Sequence, residues 1–113
     1  RVSHDMARTL IHIPPAPKRG EVIDIQTTIA HPMETGFRSN DLGQPVPRNI
    51  LTHFECRYNG HLVFSAELHP AIAANPYIAF ALRVDGSGTL SFTWDGDNGF
   101  HQTETVALDI AGG

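Results

Sequence analysis

The sequence predicts an all-β protein, an immunoglobulin-like antiparallel β-sandwich of about seven strands, and three observations carry that prediction. Apolar residues recur with a period of two far more often than with the helical period of about 3.6. Gly or Pro punctuates the chain about every ten residues, the spacing of short strands joined by turns. An Asn-Gly pair, Asn59-Gly60, stands between two alternating runs and tolerates the positive φ angles of a type I′ hairpin turn. A small closed barrel would use the same alternation and remains the alternative architecture.

Taken in order, the first strand is expected from Ala7 to Ile13, ended by Pro14 and Pro15, which lack the amide hydrogen a ladder needs. The second runs from Glu21 to Ala30. There Ile23, Ile25 and Ile29 share one face, while Asp24, Gln26 and Thr28 share the other, as in a sheet with one wet side. Residues 31–49 break the rhythm with three prolines and two glycines. A connection of this length inside a compact domain is uncommon and marks a segment to examine for function. Ile50 to Tyr58 and Leu62 to Leu68 form the hairpin around Asn59-Gly60. In its first arm Ile50, Thr52, Phe54, Cys56 and Tyr58 have one parity and are expected to be buried, whereas Leu51, His53, Glu55 and Arg57 are expected to face outward. A proline-broken link from His69 to Pro76 leads to a strand from Tyr77 to Val84, with Ile78, Phe80, Leu82 and Val84 on one side. After a turn at Asp85 to Gly88, Leu90, Phe92 and Trp94 alternate, Asp95 to Gly99 reverses the chain, and Phe100 to Ile110 returns. Trp94 is the expected core anchor.

The 113 residues are expected to form a single domain, 1–113, large enough to stand without a metal or disulfide staple. Eight basic residues against twelve acidic ones give a formal charge of −4, with Lys and Arg scattered singly, which disfavours nucleic acid as a partner. Apolar stretches fall far short of the roughly 20 residues of a membrane-crossing helix. The chain opens without a basic head and apolar run. On the residues alone, a removed signal, a cytosolic location and export with another chain all stay open.

Cys56 is the sole cysteine, which rules out an intrachain disulfide and the zinc patterns built on paired cysteines. Its strand parity makes an inert core thiol the expected reading, with an intermolecular disulfide or a reactive thiol as alternatives. Seven histidines are many for this length, but His31, His53, His61, His69 and His101 follow no ligand spacing. A cupredoxin-type copper site would need a Met late in the chain, and none follows Cys56. Met33 is expected to pack against the sandwich. Asp95 and Asp97 are explained by turn chemistry, and there is no GxSxG elbow, HExxH or phosphate-cradling loop. No catalytic residue, metal or cofactor is expected.

The residues that carry a family resemblance lie elsewhere. His31-Pro32-Met33-Glu34-Thr35-Gly36-Phe37-Arg38, then Pro45-Val46-Pro47 and the Asn59-Gly60 hairpin, resemble the sulfur-oxidation SoxZ family. So do the stretch from Pro70 through Asn75-Pro76-Tyr77 to Phe80, and Thr93-Trp94-Asp95 with Gly99. The similarity covers nearly the whole chain. It implies an immunoglobulin-like fold, a periplasmic location, a heterodimer with SoxY, and a non-catalytic role. In such a pair a cysteine near the end of SoxY's Gly-rich tail holds the covalent sulfur species and visits the other Sox enzymes in turn. Export together with SoxY would fit a chain without a visible signal.

The expected partner-binding residues are His31, Pro32, Met33, Glu34, Arg38, Asn75, Pro76 and Tyr77. Prolines pre-order the backbone there, and Arg38 and Tyr77 are residue types suited to anchoring an interface. The rival functional reading is a generic immunoglobulin-like interaction or adhesion module, and a lone subunit built for a partner would be prone to self-association.

Overall fold

The structure, a computed structural model, describes residues 7–31, 33, 34, 36–68 and 74–111. Among these described residues are seven strands: β1 (Thr9–His12), β2 (Val22–Ile29), β3 (Leu51–Tyr58), β4 (His61–Glu67), β5 (Tyr77–Arg83), β6 (Gly88–Gly96) and β7 (His101–Leu108). They form two antiparallel sheets, one ordered β1-β2-β5 and the other β4-β3-β6-β7. This is the expected sandwich rather than the barrel.

The alternation behaves as the sequence predicts along most strands. Ile23, Ile25, Thr27 and Ile29 of β2 are buried, and Thr27 satisfies its hydroxyl on the Ile78 carbonyl at 3.1 Å. Phe80 and Leu82 of β5, ladder partners of Ile25 and Ile23, share that buried face with Val84 just after them, and Leu90, Phe92 and Trp94 of β6 have no exposed surface. Phe54 of β3 sits at the centre of an aromatic cluster. Its ring lies 5.3 Å from Trp94 and 6.2 Å from Phe80 of the opposite sheet, with Phe64 and Phe92 also within contact range. Such pairs add to the area they bury. Trp94 is the core anchor expected, although its indole N–H finds no acceptor among the described residues. Asn59 and Gly60 have φ of 50° and 84°, the two positive values a type I′ turn requires.

Two departures have identifiable causes. β1 begins at Thr9 rather than Ala7, because the Ala7 backbone is held by β7 of the other sheet. Its N–H donates to Gln102 Oε1 at 2.9 Å, and Gln102 Nε2 donates back to its carbonyl at 2.8 Å. Leu51, expected to face outward, is fully buried beside Ile50. The ladder with β6 pairs Leu51 with Gly96 and His53 with Asp95, so Thr52 is an extra residue that reverses the parity at the start of β3. Gly96 permits this arrangement, since a Cβ there would lie 2.6 Å from the Ile50 carbonyl oxygen.

At the other end of the sandwich, Tyr58 fixes the turn between β5 and β6. Its hydroxyl donates to the Gly86 carbonyl and accepts the Gly86 and Asp85 N–H groups at 3.0 and 3.3 Å. No helix among the described residues is long and apolar enough to cross a membrane.

Candidate partner-docking site

The long connection leaves β2 at the end of the sandwich shared by the start of β5 and the β6–β7 turn. There it is tied to both. The His31 N–H donates to Asn75 Oδ1 at 2.9 Å, and the Asn75 N–H donates to the His31 carbonyl at 2.7 Å. Asn75 holds a left-handed φ of 56°, a conformation Asn tolerates better than most residues. The Pro76 carbonyl then accepts the Ile29 N–H at 3.4 Å, and Pro76 itself is buried.

His31 is buried, with its ring edge-on to Phe100 at 5.3 Å. Its Nδ1 accepts the Met33 N–H at 3.2 Å, which places the proton of the neutral ring on Nε2. Burial pushes its pKa below the ordinary histidine value, against a smaller upward pull from Asp97. Met33 has φ of 52°, strained for a methionine, and is held by that bond and by packing; its Sδ accepts the Leu51 N–H at 3.2 Å. Met33 packs against the sandwich as expected. Its role is internal.

A group whose folded pKa is depressed below 6.5 by burial as a neutral base binds fewer protons than in the unfolded chain, so its contribution to stability falls as pH drops through 6.5. His53 acts in the opposite sense. The hydrogen bond His53 gives to Glu67, aided by Glu55, raises its pKa, so its contribution is present below 6.5 and is lost as pH rises through the raised value. In His31→Gln, the destabilising contribution of His31 below pH 6.5 is expected to disappear, leaving stability less acid-sensitive than wild type between about pH 6.5 and 5. Urea midpoints at several pH values check this, and parallel curves for the two proteins would refute it.

Beyond Met33 the chain crosses to Asn49 in a two-bond bridge, Glu34 N–H to the Asn49 carbonyl at 2.8 Å and Asn49 N–H to the Glu34 carbonyl at 2.7 Å. Arg38 Nε and Nη2 both donate to Glu34 Oε1, at 2.9 and 2.6 Å. Arg48 forms a two-pronged pair with Asp97 of the β6–β7 turn, both bonds at 2.8 Å. Asp97 also accepts the Ile50 N–H at 3.1 Å, and these bonds, Arg48 first, hold its carboxyl below the usual range. Asp97 is thus more than a turn residue: it clamps the returning limb of the connection to the sandwich.

Of the residues singled out in the sequence, His31, Met33 and Pro76 are buried together in a knot, tied by the exposed Asn75 through its paired hydrogen bonds with His31, and Glu34 and Arg38 pair on the exposed flank. Tyr77 is separate from them. It is 61% exposed on the outer face of the three-stranded sheet, where it lines an open groove of about 390 Å³ with Leu10, Ile11, His12, Gln26 and Thr28. Pro32 lies outside the described residues, as does the 69–73 part of the link. Sequence reasoning read Asp97 only as a turn residue and missed Arg48, its partner, and Asn40, whose side chain caps the turn at Leu42 and Gln44. Only Asn40 had a local signal, an Asn followed by Asp-Leu-Gly, the composition of a side-chain-capped turn.

The candidates for chemistry are dispersed. Cys56 is fully buried, and burial pushes its thiol up to about 12. His53 joins Glu67 and Glu55 on the outer face of the four-stranded sheet, and His101 pairs with Asp95. Among the described residues no three His, Cys, Asp or Glu side chains are gathered to hold one metal ion.

The model of the family "Sulphur oxidation protein SoxZ" matches residues 11–107. The chain belongs to the SoxZ family. It is therefore a subunit of the sulfur-oxidation (Sox) system. No relative among curated protein sequences matches it. Among solved structures, a superoxide reductase (neelaredoxin) from Ignicoccus hospitalis has a TM-score of 0.70 at 14% identity, with 92% of this SoxZ chain and 81% of that chain covered. The sulfur carrier protein SoxY from Chlorobium limicola f thiosulfatophilum has a TM-score of 0.64 at 12% identity, covering 90% of this chain and 74% of that one. A putative superoxide reductase from Thermotoga maritima has a TM-score of 0.68 at 14% identity, covering 90% and 84%. At these identities the likeness is one of fold, and it places the SoxZ chain in the same sandwich architecture.

Proposed function

We propose that the chain is the non-catalytic half of a sulfur-carrier heterodimer: it holds a SoxY partner whose tail cysteine bears the covalent sulfur intermediate and presents it to the other Sox enzymes. The pair would work in the periplasm and be exported together. One observation carries the reading beyond family membership, the burial of Cys56 with its thiol raised to about 12. Sulfur transfer needs an accessible thiolate that can form and break an S–S bond, and a thiol in this state supplies neither the charge nor the access. The covalent cargo then belongs on another chain. The docking surface in this reading lies over the buried His31, Met33 and Pro76, with Asn75 and Arg38 exposed and Glu34 half-buried beside them and Tyr77 apart on the outer face of the three-stranded sheet; Pro32 is assigned to it from the sequence alone. Anchoring that surface through the buried Pro76 and paired hydrogen bonds lowers the entropy lost on association.

The test is co-expression with a SoxY partner, followed by intact-mass measurement after incubation with thiosulfate and the enzymes that load it. The expected result is a one-to-one complex with the sulfur adduct on the partner alone. An adduct on Cys56, or no complex, would overturn the proposal.

A further inference from the structure

Between the bridge at Glu34 and Asn49 the connection folds into a second, narrower hairpin that presents apolar side chains to solvent. The Val46 N–H donates to the Arg38 carbonyl at 2.8 Å, the Asn40 N–H to the Gln44 carbonyl at 2.8 Å, and the Gly43 N–H to the Asn40 carbonyl at 3.0 Å. At the tip, Asn40 Oδ1 accepts the N–H groups of Leu42 and Gln44 at 2.9 and 3.0 Å. Gly36, with φ of 94°, sets the entry against Arg48, where a Cβ would stand 3.3 Å from the Arg48 Cβ. On this hydrogen-bonded frame Phe37 is 91% exposed and Leu42 81%, the two highest values among the large hydrophobic residues described. Water around these side chains is unfavourable, and nothing in the packing of the sandwich requires them to be there.

We propose that residues 36–48 are a docking arm that inserts Phe37 and Leu42 into an apolar groove of the carrier partner. The inference rests on the heterodimer reading above and names the anchors that reading lacks. The charges at the base are already compensated, Arg38 on Glu34 and Arg48 on Asp97. Between them the sequence Ser-Asn-Asp-Leu-Gly-Gln-Pro-Val-Pro carries one charge, Asp41. Apolar anchors ringed by neutral polar groups are the composition of a protein interface with a dry centre, whereas an anionic membrane surface would call for unpaired Lys or Arg. The heterodimer reading supplies the occupant: one arm and one groove on two different chains close at one-to-one, whereas two identical chains would have to exchange arms reciprocally across a two-fold axis, an arrangement that self-association of the isolated chain would reveal.

The test uses the full chain and its co-expressed SoxY partner, with binding measured by calorimetry and the melting temperature of each isolated variant as a folding check. Phe37→Ser with Leu42→Ser is expected to weaken binding at least about 30-fold, the loss associated with a hot-spot anchor, while the melting temperature holds. Leu62→Ser with Val63→Ser, which changes exposed apolar residues on β4, is expected to leave binding unchanged. If the wild-type complex forms and the arm variant binds within about 3-fold of it, the arm is overturned and the heterodimer stands. If wild type forms no complex, the heterodimer reading fails and the arm with it. If the isolated chain self-associates through Phe37 and Leu42 while partner binding is indifferent to them, the occupant is a second copy and the assignment to the partner is wrong.

Discussion

Iodoacetamide is expected to alkylate Cys56 at least about 1,000-fold more slowly in the folded chain than in the urea-unfolded chain at the same pH. The thiolate is the reactive species, and its abundance falls tenfold for each unit by which the pKa rises above the working pH. Burial moves the Cys56 thiol from 9.0 to about 12, which alone accounts for about three powers of ten. The side chain also has no exposed surface, so the reagent must wait for an opening of the β3 ladder, where Cys56 pairs with Phe92 on one side and Phe64 on the other. Residual labelling should therefore track unfolding and accelerate with urea. In the co-expressed complex the partner's tail thiol should react quickly while Cys56 stays unmodified, and Cys56→Ala should leave sulfur loading of the partner intact. Native-state labelling within about tenfold of the unfolded chain would mean that the thiol is presented to solvent, and the case for a cargo-free subunit would lose its physical basis.

The strands were legible because half-buried antiparallel strands write their two faces into alternate residues. Ile23, Ile25 and Ile29, or Leu90, Phe92 and Trp94, declare both the element and its inner side. Asn59-Gly60 was legible for a local reason too, since few other pairs accept two positive φ angles in succession. Leu51 was misread because a bulge is a relation between two strands. The extra residue at Thr52 exists only opposite Gly96 and Asp95, 44 and 43 positions away. The Arg48 to Asp97 clamp is hidden for the same reason: 49 residues separate the partners, and nothing near either announces the other.

The candidate site was half legible. Its position in the long connection followed from broken alternation, and the motif around His31 to Arg38 carried the family resemblance that the match over residues 11–107 bears out. The division of labour inside the motif could not be read from residue types. Histidine and methionine are chemically versatile side chains, yet here His31 and Met33 act as an acceptor and a wedge inside the knot. Phe37 and Leu42 have the residue types of core and stand outside it, because the narrow hairpin between Arg38 and Val46 has no second layer to cover them.

That contrast between two phenylalanines gives the largest stability effect to expect. Phe54→Ala is expected to destabilise the chain by about 3 to 5 kcal/mol, the loss of transfer energy plus the cavity left behind. The cavity cannot collapse easily, since its walls belong to both sheets: Phe80 on β5, Phe64 on β4, and Phe92 and Trp94 on β6. Against a total of about 5 to 15 kcal/mol for a domain, this is enough to leave a marginal or largely unfolded subunit. Phe37→Ala should change stability by no more than about 0.5 kcal/mol, because its ring is already in water in the isolated chain. Urea unfolding of the isolated chain measures both. Partner binding then separates them further: excess partner should restore much of the folded population of Phe54→Ala by mass action, since a ligand that binds only the folded form stabilises it. It should do little for Phe37→Ala, whose defect lies in the contact itself. A Phe54→Ala variant less than about 1 kcal/mol below wild type would mean that the two sheets do not depend on this ring to join them.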